Sequence, residues 1–387
     1  MDNKPVRVLH YIKHLESGGG ETLLYNIYQN IDRSQVQFDF LVNDSKEEKL
    51  DRKISRLGGR KIVLIKKEPV FTPLKILLVI IELKKMLVKG RYNIFHIHCS
   101  NGQGLLYAYI AKLANIPVRI VHIHNTAVDG KFVIFKRLFH ELCKKLFISS
   151  PTDYFACSEL AANWLYTQNI VGNKQYTIIK NGIDINKFIF NSTVREETRT
   201  KLGINGKKVL INIGRMEPQK NQVFLLNILS RLVAIDNAYV LILIGTGSLK
   251  TKIKELARKM ALDSNIYFIE YTSQVQKYLW ASDLFVLPSL HEGLGIVAVE
   301  AQAAGLKTIV SDAVPKEAYI SKNISPLSLD IGYQGWADKI LSINLDYKRI
   351  PRIQSIKQAG YDIKDTAMLL QEFYLTSLSK NFKIHSS

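Results

Sequence analysis

The segment Leu284-Phe285-Val286-Leu287-Pro288-Ser289-Leu290-His291-Glu292-Gly293-Leu294-Gly295-Ile296-Val297-Ala298-Val299-Glu300-Ala301 concentrates groups that could do chemistry. An apolar, strand-like run ends at Pro288, a glycine-containing loop follows, and small and apolar residues then read as a helix. Glu292 precedes that helix and Glu300 falls about two turns along it. The backbone amides of Gly293, Leu294, Gly295 and Ile296 stand at the helix N-terminus, where the dipole and unpaired N–H groups suit phosphate or sugar oxygens. A carboxylate on an otherwise apolar helix is costly unless partnered, and a pair of ribose or sugar hydroxyls is a suitable partner. The alternative makes Glu292 a helix-dipole residue and Glu300 one half of a structural ion pair.

Cations and further glycines occur in other strand-to-helix loops. Gly214-Arg215-Met216-Glu217-Pro218-Gln219-Lys220-Asn221 follows the strand-like Val209–Ile213. Arg215 and Lys220 there could clamp a diphosphate and balance charge on a leaving phosphate, or be solvated loop charges. Gly245-Thr246-Gly247 ends the next strand. Near the N-terminus, Glu16-Ser17-Gly18-Gly19-Gly20-Glu21 joins a strand to a helix. Its glycines permit close backbone approach to an anion, although a tight turn without ligand has the same pattern. His122 and His124 lie two apart on a strand-like stretch and therefore point the same way. They are candidates for a reacting sugar or for satisfied core histidines.

These loops need a scaffold that delivers strand ends to one place. Strand-like runs recur at Val6–Tyr11, Phe38–Val42, Ile62–Ile65, Ile94–His98, Ile120–His124, Tyr154–Ala156 and Thr177–Ile179. A second series comprises Val209–Ile213, Tyr239–Ile244, Ile266–Ile269, Leu284–Leu287 and Thr308–Val310. Stretches of helical period such as Leu74–Val88, Leu105–Leu113 and Val223–Val233 alternate with them, which predicts parallel sheets with crossover helices. A chain of 387 residues that is 47% hydrophobic exceeds a single core. The expectation is α/β with two Rossmann-like, doubly wound domains. The polar stretch 191–205 is the candidate linker.

Composition narrows the partners. Net charge is +19, spread over both halves of the chain, which attracts anions. Three cysteines without metal-ligand spacing suit core packing in a reducing cytoplasm. No apolar run approaches the roughly 20 residues of a membrane span, and the N-terminus lacks the features of a signal peptide.

Glu292 and Glu300, separated by seven residues in their glycine-rich setting, resemble the E-x7-E motif of retaining family-4 glycosyltransferases. The resemblance extends through Gly18-Gly19-Gly20-Glu21, His122-Ile123-His124-Asn125-Thr126, Ala156-Cys157-Ser158, Ile179-Lys180-Asn181-Gly182-Ile183-Asp184, Arg215/Lys220 and Gly245-Thr246-Gly247, in the family's order. It is closest in character to capsule and exopolysaccharide enzymes. It implies the GT-B fold, with two Rossmann-like domains facing across a cleft. The acceptor domain would span 1–190 and the nucleotide-sugar domain 191–365, and a helix near Thr366–Leu378, within 366–387, would return to the first domain. It also implies a hexosyl transfer with retention from a nucleotide-sugar, a UDP-sugar being the expected donor, to a glycan or polyprenyl-diphosphate-linked acceptor. Arg215 and Lys220 would hold the diphosphate and Glu300 the ribose. Glu292 would contact the transferred sugar, together with the amides from Gly293 to Ile296. Gly19 and Gly20 would approach the phosphate, His124 would face the reacting sugar, and Gly245 and Tyr271 would line the donor loops. The chain has no Asp-x-Asp, so no divalent metal or other cofactor is expected.

The stretch from Lys131 to Phe147 is basic and amphipathic, with Phe132, Phe135, Leu138, Phe139, Leu142 and Leu146 on one face. Such a helix lies on an anionic membrane, here the inner face of the cell membrane, or buries its stripe in an ordinary domain. Two other functions stay open. A nucleotide-sugar epimerase or hydrolase of the same fold would use further carboxylates. A nucleic-acid-binding protein would use the charge, but no binding motif or concentrated basic stripe supports it, so no nucleic-acid partner is expected.

Overall fold

The computed structural model describes residues 4–15, 19–43, 45–48, 50–65, 72–128 and 132–384, the side chains of 72–76 and 379–384 excepted. Glu16, Ser17 and Gly18 of the first glycine loop, and Lys131, lie outside the described residues. The chain forms two compact units: Met1–Ile183 with Asp362–Ser387, and Asp184–Tyr361.

Unit 1 runs β1 (Val6–Tyr11), α1 (Gly19–Asn30), β2 (Val36–Val42), α2 (Asp51–Arg56), β3 (Arg60–Val63), α3 (Thr72–Gly90), β4 (Ile94–Cys99), α4 (Gln103–Leu113), β5 (Val118–Ile123), α5 (Val133–Phe147), β6 (Asp153–Ala156), α6 (Glu159–Leu165), α7 (Gln168–Gly172) and β7 (Thr177–Ile178). Its parallel sheet has the order β3-β2-β1-β4-β5-β6-β7. The order reverses between β1 and β4, which opens a crevice at their carboxyl ends. The buried runs of β1, β2 and β4 reflect a sheet covered on both faces.

Unit 2 contains α8 (Ser192–Leu202), β8 (Lys208–Ile213), α9 (Gln222–Ile235), β9 (Tyr239–Ile244), α10 (Lys250–Lys259), β10 (Ile266–Ile269), α11 (Val275–Ala281), β11 (Leu284–Leu287), α12 (Ile296–Ala303), β12 (Lys307–Ser311), β13 (Ile324–Leu327), α13 (Gly332–Leu341) and α14 (Ile353–Gln358). Its order, β10-β9-β8-β11-β12-β13, reverses between β8 and β11. Every residue of β9 and β11 is buried, as unbroken apolar runs require.

The stretch 191–205, read as a linker, is instead mostly the helix α8 of unit 2. The Asn191 side chain accepts from the Val194 amide at 3.0 Å, and Gly203 closes the helix in the left-handed conformation. Its polarity misleads because its inward residues are arginines. Arg195 donates to Asp283 Oδ1 at 2.6 Å, and buried Arg199 donates to the Ala281 carbonyl at 2.8 Å.

The last helix, α15 (Ile363–Ile384), packs on unit 1. Ile363, Ala367, Leu370 and Tyr374 join the core of Leu23, Ile27, Phe38 and Phe40. The Ile363 amide donates to the Ile183 carbonyl at 3.0 Å. No helix among the described residues is long and apolar enough to cross a membrane.

Helix α5 leaves its apolar stripe uncovered. Phe132, Ile134, Phe135, Leu138, Leu142 and Leu146 are exposed, while the buried side consists of His140 and Cys143. The His140 ring stacks on Trp164 at 4.2 Å, and its Nδ1 accepts from the Gly102 amide at 2.9 Å.

Candidate functional site

In unit 2 the loops after β8, β9 and β11 leave the carboxyl ends of three adjacent strands, two of which border the switch point. They are tied by backbone. The Gly214 amide donates to the Ile244 carbonyl and the Met216 amide to the Thr246 carbonyl, each at 2.9 Å. A Cβ on Gly245 would stand 2.0 Å from the Gly214 carbonyl oxygen, so only glycine permits this approach. The loops after β8 and β11 are joined by Leu290 N donating to Gln219 O at 2.8 Å and by Gln219 Nε2 donating to His291 O at 2.9 Å.

Lys220 and Glu292, on different loops, form one ion pair. Lys220 Nζ donates to Glu292 Oε1 at 2.5 Å. Ser289 Oγ donates to the same oxygen at 2.6 Å, and Ser311 Oγ in turn donates to the Ser289 carbonyl at 2.6 Å. Glu292 is buried. Glu292 Oε1 thus accepts from both Lys220 and Ser289. Arg215 is exposed, and its guanidinium has no hydrogen-bond or ion-pair partner among the described residues. Gln222 Nε2 fixes the loop by donating to the Arg215 carbonyl at 3.0 Å.

Gly295, at φ +77°, turns the chain into α12. Gly293, Leu294 and Gly295 are buried, and Ile296 begins the helix half-buried. Glu300, at the start of the second turn of α12, is half-buried, but its carboxyl is withdrawn from water. Burial pushes it up to about 7, with the charge of Lys187 pulling the other way. No side chain among the described residues hydrogen-bonds it. Tyr271 is exposed in the loop after the edge strand β10.

Unit 1 holds the remaining candidates. Gly19 and Gly20 begin the first turn of α1, and among the described residues nothing lies within 4 Å of where a Cβ on Gly20 would stand. His122 lies on β5 and is buried, whereas His124 falls just beyond the strand and is half-buried. Their rings lie 4.0 Å apart.

Several site residues were not singled out by sequence. Ser289 was inside the motif, but a lone serine gives no signal of its contact. Lys187 precedes unit 2's first helix and acts on Glu300 through space alone. His96 and His98 repeat the spacing of His122 and His124 on a neighbouring strand, a signal present in the sequence.

Two parallel-sheet Rossmann-like units with the final helix returned to the first are the architecture of GT-B glycosyltransferases. The family description "Glycosyltransferase Family 4" matches residues 17–187, and "Glycosyl transferases group 1" matches residues 194–358. A putative glycosyltransferase, EpsF, from Bacillus subtilis (strain 168) is 31% identical over 98% of this chain and 99% of its own length. The chain therefore belongs to the family-4 glycosyltransferases. An Escherichia coli UDP-Gal:alpha-D-GlcNAc-diphosphoundecaprenol alpha-1,3-galactosyltransferase is 29% identical over 60% of this chain and 61% of that enzyme. The crystal structure of Anabaena HepE in complex with UDP and glucose matches with a TM-score of 0.69 at 16% identity, covering 99% of this chain and all of the other.

Proposed function

We propose that the protein is a retaining hexosyltransferase that moves a sugar from a UDP-sugar to a polyprenyl-diphosphate-linked glycan, in cell-surface polysaccharide synthesis. The observation that carries this reading is the carboxyl end of β8 and β11. The loops there carry Arg215, without a side-chain partner among the described residues, and the Lys220–Glu292 pair, and α12 adds the withdrawn Glu300 carboxyl. The named specificities of the Escherichia coli enzyme and the UDP bound to HepE support the donor and acceptor classes.

In this reading Glu300 binds the ribose hydroxyls, Tyr271 stands at the base, and Gly245 lets the backbone approach the donor. Arg215 and Lys220 stabilise the diphosphate as negative charge grows on it during cleavage of the sugar–phosphate bond. The amides from Gly293 to Ile296 receive sugar and phosphate oxygens. Glu292 contacts the transferred sugar, and Lys220 and Ser289 fix its orientation. From unit 1, His124 is assigned to the reacting sugar and Gly19 and Gly20 to the donor phosphate. The diphosphate needs no divalent ion, because fixed cations take that role.

The acceptor lipid requires work at a membrane surface. We assign that contact to α5 and its neighbours α4 and α3. Exposed Phe135, Leu138 and Leu142 on α5 and Leu77, Ile81 and Val88 on α3 stand among lysines that anionic headgroups attract. The test is incubation with UDP-sugars and a polyprenyl-diphosphate-linked glycan, followed by NMR of the product linkage. An α-linked product from an α-linked donor is expected. A β-linkage overturns retention, and release of free sugar without acceptor transfer overturns the transferase reading.

A further inference from the structure

The carboxyl end of the unit 1 sheet carries five histidines on one face. In register, His10 of β1 lies beside His96 of β4, and His98 of β4 lies beside His122 of β5. His124 follows β5 immediately. The side-chain period of two puts His96 with His98, and His122 with His124, on the same side. Such a concentration of imidazole inside a core is costly unless the nitrogens are paired, and they pair mostly with one another. His10 Nδ1 lies 3.0 Å from His98 Nε2, and His98 Nδ1 lies 2.9 Å from His124 Nε2. His96 Nε2 lies 3.3 Å from His122 Nδ1, and His96 Nδ1 lies 2.7 Å from the Tyr374 hydroxyl. Three buried nitrogens, His10 Nε2, His122 Nε2 and His124 Nδ1, have no hydrogen-bond partner among the described residues.

We propose that His98, His122 and His124 form a three-imidazole binding site for a divalent transition-metal ion of the zinc class. The three rings offer nitrogens that all lie within 4.8 Å of one another. Ligands on a tetrahedral ion at 2.0–2.1 Å stand about 3.3–3.4 Å apart. The 2.9 Å His98–His124 approach is already near that separation, and the unpartnered His122 Nε2 supplies the third donor.

The surrounding groups match what a histidine-bound ion needs. Ligating imidazoles donate their other N–H to an acceptor, which fixes tautomer and orientation. With the ion on Nδ1 of His98, its Nε2–H points to His10 Nδ1. With the ion on Nε2 of His122, its Nδ1–H points to His96 Nε2, and the His96 Nδ1–H then donates to the Tyr374 oxygen. His124, bound through Nε2, keeps a proton on Nδ1. A second triad, His10, His96 and His98, also has nitrogens close together, but all three of its residues are buried, whereas the chosen triad includes a less buried ligand. That ligand, His124, is half-buried. Three neutral imidazoles without carboxylate or thiolate select zinc, cobalt, nickel or copper over magnesium, calcium or manganese. None of these ligands is among the diphosphate residues assigned to unit 2; His124 is the residue assigned above to the reacting sugar, so the test reads metal binding directly and not sugar transfer.

The test uses the full chain without an oligohistidine tag, stripped with chelator and titrated with zinc or cobalt. One ion per chain is expected. X-ray absorption should show three imidazole scatterers at about 2.0–2.1 Å, and cobalt should give the ligand-field spectrum of a tetrahedral site. His124→Ala, at the half-buried ligand, should abolish stoichiometric binding while circular dichroism stays parental. His10→Phe should weaken binding about 10- to 100-fold, as loss of an outer hydrogen-bond partner does. Absence of stoichiometric binding to the folded parental chain overturns the proposal. So does an ion with one imidazole and oxygen ligands, or binding that folded His124→Ala retains in full.

Discussion

Glu300→Gln should move donor binding and stability in opposite directions, because the same withdrawn carboxyl governs both. Burial pushes Glu300 up to about 7, from an ordinary value of 4.5. Folding therefore favours its protonated form. Its contribution to stability is fully present below about pH 4.5 and is lost as pH rises to about 7, where the folded protein must carry the charge. Glutamine keeps the size and removes that charge, so the ligand-free variant should melt higher than the parent above neutral pH. Donor binding runs the other way. In the proposed role an ionised Glu300 would accept from two ribose hydroxyls, and loss of a charge-assisted hydrogen bond costs about 1.5–3 kcal/mol, roughly ten- to over a hundredfold in Kd. Between about pH 6 and pH 8 the ionised fraction rises from roughly one tenth to nine tenths, so parental donor Kd should fall about tenfold. Calorimetric titration with an intact UDP-sugar checks this, since its diphosphate has no ionisation in that interval. His124, held near 4, does not titrate there either. A parental Kd flat from pH 6 to 8, or the same slope in folded Glu300→Gln, refutes the ribose assignment.

If Arg215 holds the diphosphate as proposed, Arg215→Ala should lower kcat as well as raise KM, because the charge on a leaving phosphate grows in the transition state; an effect confined to KM would contradict that role. Parental turnover should be insensitive to added magnesium or manganese, and a steady-state assay in which either ion restores an inactive enzyme would remove Arg215 and Lys220 from the diphosphate. Phe135→Ser with Leu138→Ser should reduce co-sedimentation with anionic vesicles severalfold without changing the melting temperature, because both side chains are exposed; unchanged sedimentation would take the membrane from α5. Asp39 is buried, and hydrogen bonds from Arg7, Arg60 and Tyr92 outweigh desolvation and hold its carboxyl below the usual range. Its stabilisation is present above the ordinary carboxylate range and is lost on acidification, so Asp39→Asn should cost about 1–3 kcal/mol at neutral pH and less in acid, measured by urea unfolding.

The parallel architecture was legible because unbroken apolar runs such as Tyr239–Ile244 and Leu284–Leu287 have no reading other than covered strands. Strand β13 was not legible: Ile324–Leu327 includes a serine and a proline and pairs only as the edge of its sheet. Helix α8 was obscured because its inward arginines make a buried face look solvated. At the site, types and order were readable, whereas pairing was not. Nothing in the spacing of Lys220 and Glu292, 72 residues apart, says that they share a proton-rich contact. The imidazole cluster needed the register of β1, β4 and β5, which pairwise spacing within one strand does not contain.

The returning helix α15 dictates an order of assembly during synthesis. Unit 2 is contiguous from Asp184 to Tyr361, so its sheet is complete once that stretch has left the ribosome. Unit 1, although made first, lacks Ile363, Ala367, Leu370 and Tyr374 until the final residues emerge. Phe38, whose ring lies 6.0 Å from that of Tyr374, waits with one side of its core unfilled while the whole second unit is translated. A chain cut between Tyr361 and Ile363 would therefore keep unit 2 whole in sequence and leave unit 1, made first, without part of its core.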